Sequence, residues 1–437
     1  MDDRMLLPAL ATAGALAIGT LWYMNQYLES SESKEREEVT QLLNRSEELA
    51  KKLGKLSKDV QGLVAKERKA SETDEQLKEF SSNLAALASK DETKLKLVRI
   101  GTRDSELAMW QAKHVESILG KAYNHVSTKI VGMKTLGDKD LKSALSTFSN
   151  KGVFTKELDA ALLLGEVDIA VHSMKDLPTT LESGLSLGCV LERGTIEDAV
   201  VLSAKHKNSS MIKSLATLPA GSVLGTSALR RRAVLLRNFP DLVVKDVRGN
   251  LQTRLRKLDD DDDGNKDKIK YDALILARTG LQRCKLEHRI SEVLDCDKYG
   301  HAVSQGALAV VCRSSDGLAM QLLRGLNHIP TRLRVTAERA LLRTLEGGCK
   351  VPIAVTSAYN ESKSQLRLKG WVVSLDGKRM VEAEETHDGV PPSLELGLQM
   401  ADKVGVSVGE ALKKKGAEAI LIECRGTTLN FEAPTKK

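Results

Sequence analysis

The sequence predicts an α/β protein of two or three domains. Three observations carry that reading. Short apolar runs alternate with stretches of helical period from about residue 95 onward. Two of these runs end in a Gly-Thr turn that opens a helix. The chain, at 437 residues, exceeds one ordinary domain and has ample length to bury a core.

Taken in order, Leu97-Val98-Arg99-Ile100 reads as a strand. It runs into Gly101-Thr102-Arg103-Asp104-Ser105 and then a helix with apolar positions Leu107, Trp110, Val115, Ile118 and Leu119. Glu166 to His172 reads as a buried strand. Ser222-Val223-Leu224 is another, turning through Gly225-Thr226-Ser227 into a helix with Arg230, Arg231 and Arg232. Leu242 to Val247 and Tyr271 to Ala277 are further strands. Such alternation implies mostly parallel sheets joined by crossovers. The Asp259–Asp263 run lies between the helix holding Arg254 and the last of these strands. It lacks the spacing of a calcium loop and reads as a solvated insertion.

The chain before residue 95 has a different character. Met5 to Met24 carries no charge. That is about the length of a membrane span. Trp22 and Tyr23 stand where an interfacial aromatic belt would be. Residues 1–28 therefore read as a hydrophobic anchor helix. A cleaved plastid or mitochondrial import leader and a buried helix are the alternatives. Asp2 and Asp3 argue against a secretory signal. Over residues 29–94, Val39, Leu42, Leu49, Leu53, Leu56, Val60 and Leu63 make a heptad seam. This reads as a helical stalk able to self-associate, or as a solvated linker. Gly54 and Gly62 weaken the helix by about 1 kcal/mol each.

The formal charge of +7 is modest for this size and fits a small anionic ligand. No basic tail interleaved with aromatics points to nucleic acid. The six cysteines form no CxxC pair and no zinc spacing. Scattered thiols fit a reducing compartment.

One device recurs. A strand ends, a small-residue turn follows, and a helix opens with Ser or Thr and Arg nearby. Backbone N–H groups at a helix start favour anions, and arginine adds forked recognition of carboxylate. Arg103 and Ser105 mark the first case; Ser227, Arg230 and Arg231 mark the second. Arg248 and Arg254 follow another strand. Cations at several strand ends indicate a pocket for a ligand with many carboxylates. In His172-Ser173-Met174-Lys175-Asp176-Leu177-Pro178, Asp176 reads either as an acid or base or as a loop cap before Pro178. His172 reads as a structural residue at a strand end. Cys349, in Gly347-Gly348-Cys349-Lys350-Val351-Pro352, is an accessible thiol whose thiolate Lys350 favours. The alternative is a small buried hydrophobe, which is the reading for the other five cysteines.

These segments together resemble the hydroxymethylbilane synthase (porphobilinogen deaminase) family. The resemblance rests on IGTRDSELAMWQ, FTKELDAALLLGEVDIAVHSMKDLPT, LGTSALRRRAVLLRNFPDL, VRGNLQTRLRKLD, YDALILARTGLQR, SQGALAV and ERALLRTLEGGCKVPIAV, in the family's order over about residues 96–355. It implies head-to-tail joining of four porphobilinogen units with loss of ammonia, then release of the linear tetrapyrrole by water. It implies a dipyrromethane cofactor bound to Cys349 through a thioether, and no metal. Asp176 would protonate the departing amine and stabilise cationic azafulvene and pyrrole nitrogens. Lys175, Asp176, Ser227, Arg230, Arg231 and Arg254 would hold the cofactor. Arg103, Ser105, Ser173 and Arg248 would hold the incoming substrate, with Arg283 as a further pocket cation. Ala228 departs from a family serine and leaves only a backbone N–H.

The implied architecture is two lobes like those of periplasmic binding proteins plus a small α+β C-terminal domain, after the hydrophobic helix and stalk. Domain 1 would span 95–192 with a return segment 302–325, domain 2 193–301, and domain 3 329–425. The catalytic part is expected to be monomeric. A reversible anion-binding module of the same architecture is the rival reading; it needs neither Asp176 nor a modified Cys349.

Overall fold

The structure is a computed structural model that describes residues 96–135, 155–207, 210–260, 269–345 and 351–426. The chain divides into units Met1–Lys94 and Leu95–Lys437, and every described residue lies in the second. The anchor at 1–28, the stalk at 29–94, Asp261–Asp263 and Cys349 lie outside the described residues. Among those described, no helix is long and apolar enough to cross a membrane.

In chain order, β1 (Lys96–Arg103) leads to α1 (Glu106–Ala122), β2 (Val126–Met133), α2 (Lys156–Leu163), β3 (Ile169–Ser173), a 3-10 turn (Met174–Asp176) and β4 (Leu185–Val190). The chain then crosses to β5 (Asp198–Leu202), β6 (Val223–Gly225), α3 (Leu229–Asn238), β7 (Val243–Lys245), α4 (Leu251–Asp259), β8 (Ala273–Ala277), α5 (Arg278–Arg283) and β9 (Glu292–Val293). It returns through β10 (Leu308–Arg313) and α6 (Gly317–Arg324) to α7 (Ile329–Thr344). Last come β11 (Ile353–Asn360), β12 (Gln365–Val373), β13 (Met380–His387), α8 (Leu396–Lys414) and α9 (Ala417–Gly426).

The described strands form three sheets, ordered β2-β1-β3-β10-β4, β7-β6-β8-β5-β9 and β11-β12-β13. The first two, with their helices, are here called the first and second lobes. Both repeat one plan. Three parallel strands are followed by a strand delivered from the other lobe, then by the lobe's own fourth strand. The expected mostly parallel sheets are therefore corrected to mixed ones. β10 runs antiparallel to β3 and β4, and β5 runs antiparallel to β8 and β9. The cause is the exchange: β5 and β10 enter their sheets from the other lobe, so no crossover helix sets their direction.

β10 shows why its sequence lacks alternation. Leu308, Val310 and Cys312 face Val115 and Leu119 of α1 and Leu323 of α6. Ala309 and Val311 face Leu158 and Leu162 of α2. A strand covered on both faces is apolar throughout. The third sheet is covered by α7 and α8, whose Leu333, Leu341, Val404 and Leu412 share a core with Val355, Leu368 and Val372.

The two crossovers lie side by side. Leu191 N donates to Leu308 O at 3.1 Å and Gly194 N to Gly306 O at 3.2 Å. Gly306 has φ +88°, and a Cβ there would sit 2.7 Å from Thr195 O and 2.8 Å from Gly194 O. Only glycine permits that approach.

Candidate active site

Strand ends and helix starts set the site. Ser105 N-caps α1, its Oγ accepting from Ala108 N at 3.4 Å. Its hydroxyl thus already stabilises the helix, a contribution of about 1 kcal/mol. Ala228 caps α3 with no side-chain bond, and its own N–H donates to Thr226 Oγ1 at 3.2 Å. The N–H left by the missing serine is therefore engaged. Ser227 Oγ donates to Val247 O at 2.5 Å. Arg103 ends β1, and Ser173 ends β3, its Oγ accepting from Gln111 Nε2 at 2.8 Å.

Lys175 and Asp176 follow in the 3-10 turn. Burial draws the Lys175 ammonium down to about 8; Asp176 and Asp198 oppose the shift, while Arg231 and Arg230 add to it. Lys175 Nζ donates to Gln305 Oε1 at 3.3 Å. Arg230 and Arg231, at the start of α3, are buried. Each donates through Nη2 to Asp198, at 2.6 and 2.7 Å. Their Nη1 atoms reach Gly300 O and Ile275 O. Burial alone would raise the Asp198 carboxyl; the two guanidiniums and Gln305 hold it well below the carboxylate range. Sequence reading missed Asp198 and Gln305. The available signal was an acid at the head of the wholly apolar run Ala199-Val200-Val201-Leu202, a charge that must be paired.

Gly249, at φ +112°, turns the chain from Arg248 into α4, where a Cβ would lie 2.6 Å from Thr253 Cγ2. Arg254 Nε donates back to Gly249 O at 2.8 Å. Burial lowers Arg254 to about 10, Arg231 and Arg248 adding to the effect, while Asp246 and Asp176 oppose it. The structure thus brings together Lys175, Asp176, Arg230, Arg231, Arg248 and Arg254. Five of these are cations, and they face the carboxylates of Asp176, Asp198 and Asp246. Arg103 lies within electrostatic reach of His172, a buried, neutral imidazole that burial lowers to about 4. Arg283 is apart from the cluster, at the crossover, where its Nη2 donates to Gly306 O at 2.8 Å.

Helix α7 connects these parts. Arg339 donates to Leu177 O at 3.2 Å and also to Pro178 O, just past Asp176. Glu338, fully buried, accepts from Arg193 Nη1 and Nη2 at 2.6 and 3.0 Å, Ser304 N at 2.7 Å and Ser357 Oγ at 2.5 Å. Cys349 follows α7 in sequence, four residues before β11 opens at Ile353.

Fold and site define an α/β protein with paired mixed sheets and a cation-rich, carboxylate-bearing site at their strand ends, suited to an anionic ligand. The chain belongs to the porphobilinogen deaminase family. Residues 98–321 match the family model described as "Porphobilinogen deaminase, dipyromethane cofactor binding domain", and residues 332–414 match "Porphobilinogen deaminase, C-terminal domain". The porphobilinogen deaminase of Parasynechococcus marenigrum is 44% identical over 326 residues, 75% of this chain and 96% of its own. That of Gloeobacter violaceus is 46% identical over 325 residues, 74% and 92%. Among solved structures, the periplasmic VFT2 domain of Bordetella pertussis BvgS is similar at TM-score 0.31 and 14% identity, over 55% of this chain and 88% of that one. So distant a likeness adds nothing to the fold described from its sheets.

Proposed function

We propose that this chain is a transferase that joins four porphobilinogen units head to tail, releasing ammonia, and frees the linear tetrapyrrole by hydrolysis. The observation that carries the reading is the excess of cations around the Lys175–Asp176 turn. Arg248 Nη1, Arg230 Nε and Arg231 Nε are buried there without a partner. Buried donors left open beside surplus positive charge fit a ligand bearing several carboxylates. The dipyrromethane group named for this family suits that description.

Cys349 would tether it through a thioether, with Lys175, Ser227, Arg230, Arg231 and Arg254 around its acidic side chains. When bound, the group supplies the nucleophilic pyrrole carbon for chain growth. Asp176 moves a proton to the departing amine and, as carboxylate, holds positive charge that develops on the pyrrole. Arg103, Ser105, Ser173, Arg248 and Arg283 orient the substrate's carboxylates. Arg230 and Arg231 also hold the wall in place through Asp198, so their part is shared between ligand and fold. Residues 5–24 would anchor the chain to a membrane and 29–94 would form the stalk; terminal sequencing of the mature protein separates the anchor from a cleaved leader.

Intact-mass measurement tests the tether. The active protein should carry two added pyrrole units, lost in Cys349→Ala; an unmodified mass in an active preparation overturns the proposal. Asp176→Asn should keep the added mass and lose turnover by about 100-fold or more. Near-normal turnover would remove Asp176 from its role.

A further inference from the structure

We propose that Trp110 is a positioning residue for Arg283, holding that cation ready for a substrate carboxylate; the proposal rests on the reading of Arg283 as a substrate-binding cation. Arg283 closes α5 on the second lobe, and its guanidinium carbon lies 5.5 Å from the ring centre of Trp110, on α1 of the first lobe. Its Nη2 donates to Gly306 O in the crossover. Burial draws Arg283 down to about 10, and no carboxylate contributes to its electrostatic surroundings among the described residues.

A half-buried guanidinium without a carboxylate partner needs something else to fix it. An acidic partner would neutralise it and occupy the fork. An aromatic face attracts the cation through the ring quadrupole and uses none of its N–H donors. A guanidinium has five such donors, and the carbonyl of Gly306 takes one. The arrangement holds the charge in place and leaves most of its hydrogen-bonding capacity for a ligand.

Trp110 is itself oriented. It stacks on His114, one turn further along α1, with ring centres 5.1 Å apart and planes 14° apart. The first turn of α1 is tied to α4 of the second lobe by Gln252 Nε2 donating to Glu106 Oε2 at 2.5 Å. The indole is therefore presented to Arg283 from the opposite lobe by a helix fixed at that end.

The test is steady-state kinetics of the cofactor-loaded protein with porphobilinogen. Trp110→Leu should raise KM about 3- to 10-fold with kcat changed by less than about twofold. Trp110→Phe, which keeps a ring face, should recover most of the loss. Arg283→Ala should raise KM further, and Trp110→Leu should add little in that background. If Arg283→Ala leaves KM unchanged, the reading of Arg283 itself fails. If Arg283→Ala raises KM and Trp110→Leu does not, the positioning role fails and Arg283 stands. Equal impairment of the Leu and Phe variants, or a fall in kcat at constant KM, also overturns the positioning role. Should Trp110→Leu not fold, Trp110→Met replaces it, keeping bulk without a ring, with the same outcomes.

Discussion

Glu338→Gln removes one charge at the place where three segments meet. The Glu338 carboxylate takes four donors on two oxygens: Arg193 Nη1 and Ser357 Oγ on one, Arg193 Nη2 and Ser304 N on the other. The side chains of Arg193 and Glu338 are 2% and 0% exposed. Glutamine fits the same space but turns one acceptor into a donor facing two donors. It also leaves Arg193 buried without a counter-charge. Breaking such a pair from one side costs about 3–5 kcal/mol. Urea unfolding followed by circular dichroism should show a loss in that range. Replacing both partners, Arg193→Met with Glu338→Leu, should recover much of it, because neither charge is then stranded. The pH dependence has a definite sign. Burial would raise the Glu338 carboxyl, but Arg193, His301 and Arg334 bring it down to about 2 from its ordinary 4.5. A depressed carboxylate stabilises the fold fully above its unfolded value and loses that contribution as pH falls toward the folded one. The wild type should therefore lose its advantage over Glu338→Gln between about pH 4.5 and about pH 2. A loss below about 1 kcal/mol at neutral pH, or a double variant no better than the single, would refute the reasoning.

Four further outcomes are expected. Asp198→Asn strands Arg230 and Arg231 and should cost about 3 kcal/mol or more in the same unfolding assay. Because Lys175 sits at about 8, its hold on the cofactor's carboxylates should weaken and kcat should fall as pH rises through about 8; Lys175→Arg, which stays charged, should flatten that limb. Asp198 supports the Lys175 charge, so Asp198→Asn should move the same limb to lower pH. Arg339→Met frees the Leu177 and Pro178 carbonyls and should lower kcat roughly tenfold while the added mass proposed for Cys349 persists, as read by single-turnover kinetics and mass spectrometry.

Much of the fold was legible where local signals suffice. β1, β6 and β8 appear close to the runs that announced them, and α1 and α3 begin at the Gly-Thr turns. β3 starts three residues later than the run Glu166 to His172, because Glu166 and Val167 turn back on α2 through bonds to Ala161 O. The antiparallel direction of β5 and β10 was not legible. Strand direction there depends on pairing between segments far apart in the chain, and no local pattern records it. In the site, the cations were readable because charge at strand ends is conspicuous. Their partners were not: Asp198 and Gln305 meet them only through the fold. Trp110 was read as one apolar position of a helix, alongside Val115 and Leu119. Those two are fully buried in the first lobe, whereas Trp110 is only partly buried and turns to Arg283 instead.

The double crossing has a consequence for how the molecule is made. Among the described residues β4 pairs only with β10, and β10 is the partner on one side of β3. On the ribosome β10 emerges after every strand of the second lobe. The first lobe, though begun earlier, must wait with one edge of β3 open and β4 unpaired while the second completes its sheet from strands already in hand. Synthesis thus finishes the lobes in the reverse of the order in which it starts them. The nascent chain carries an open sheet edge through that interval, the kind of edge that invites mispairing.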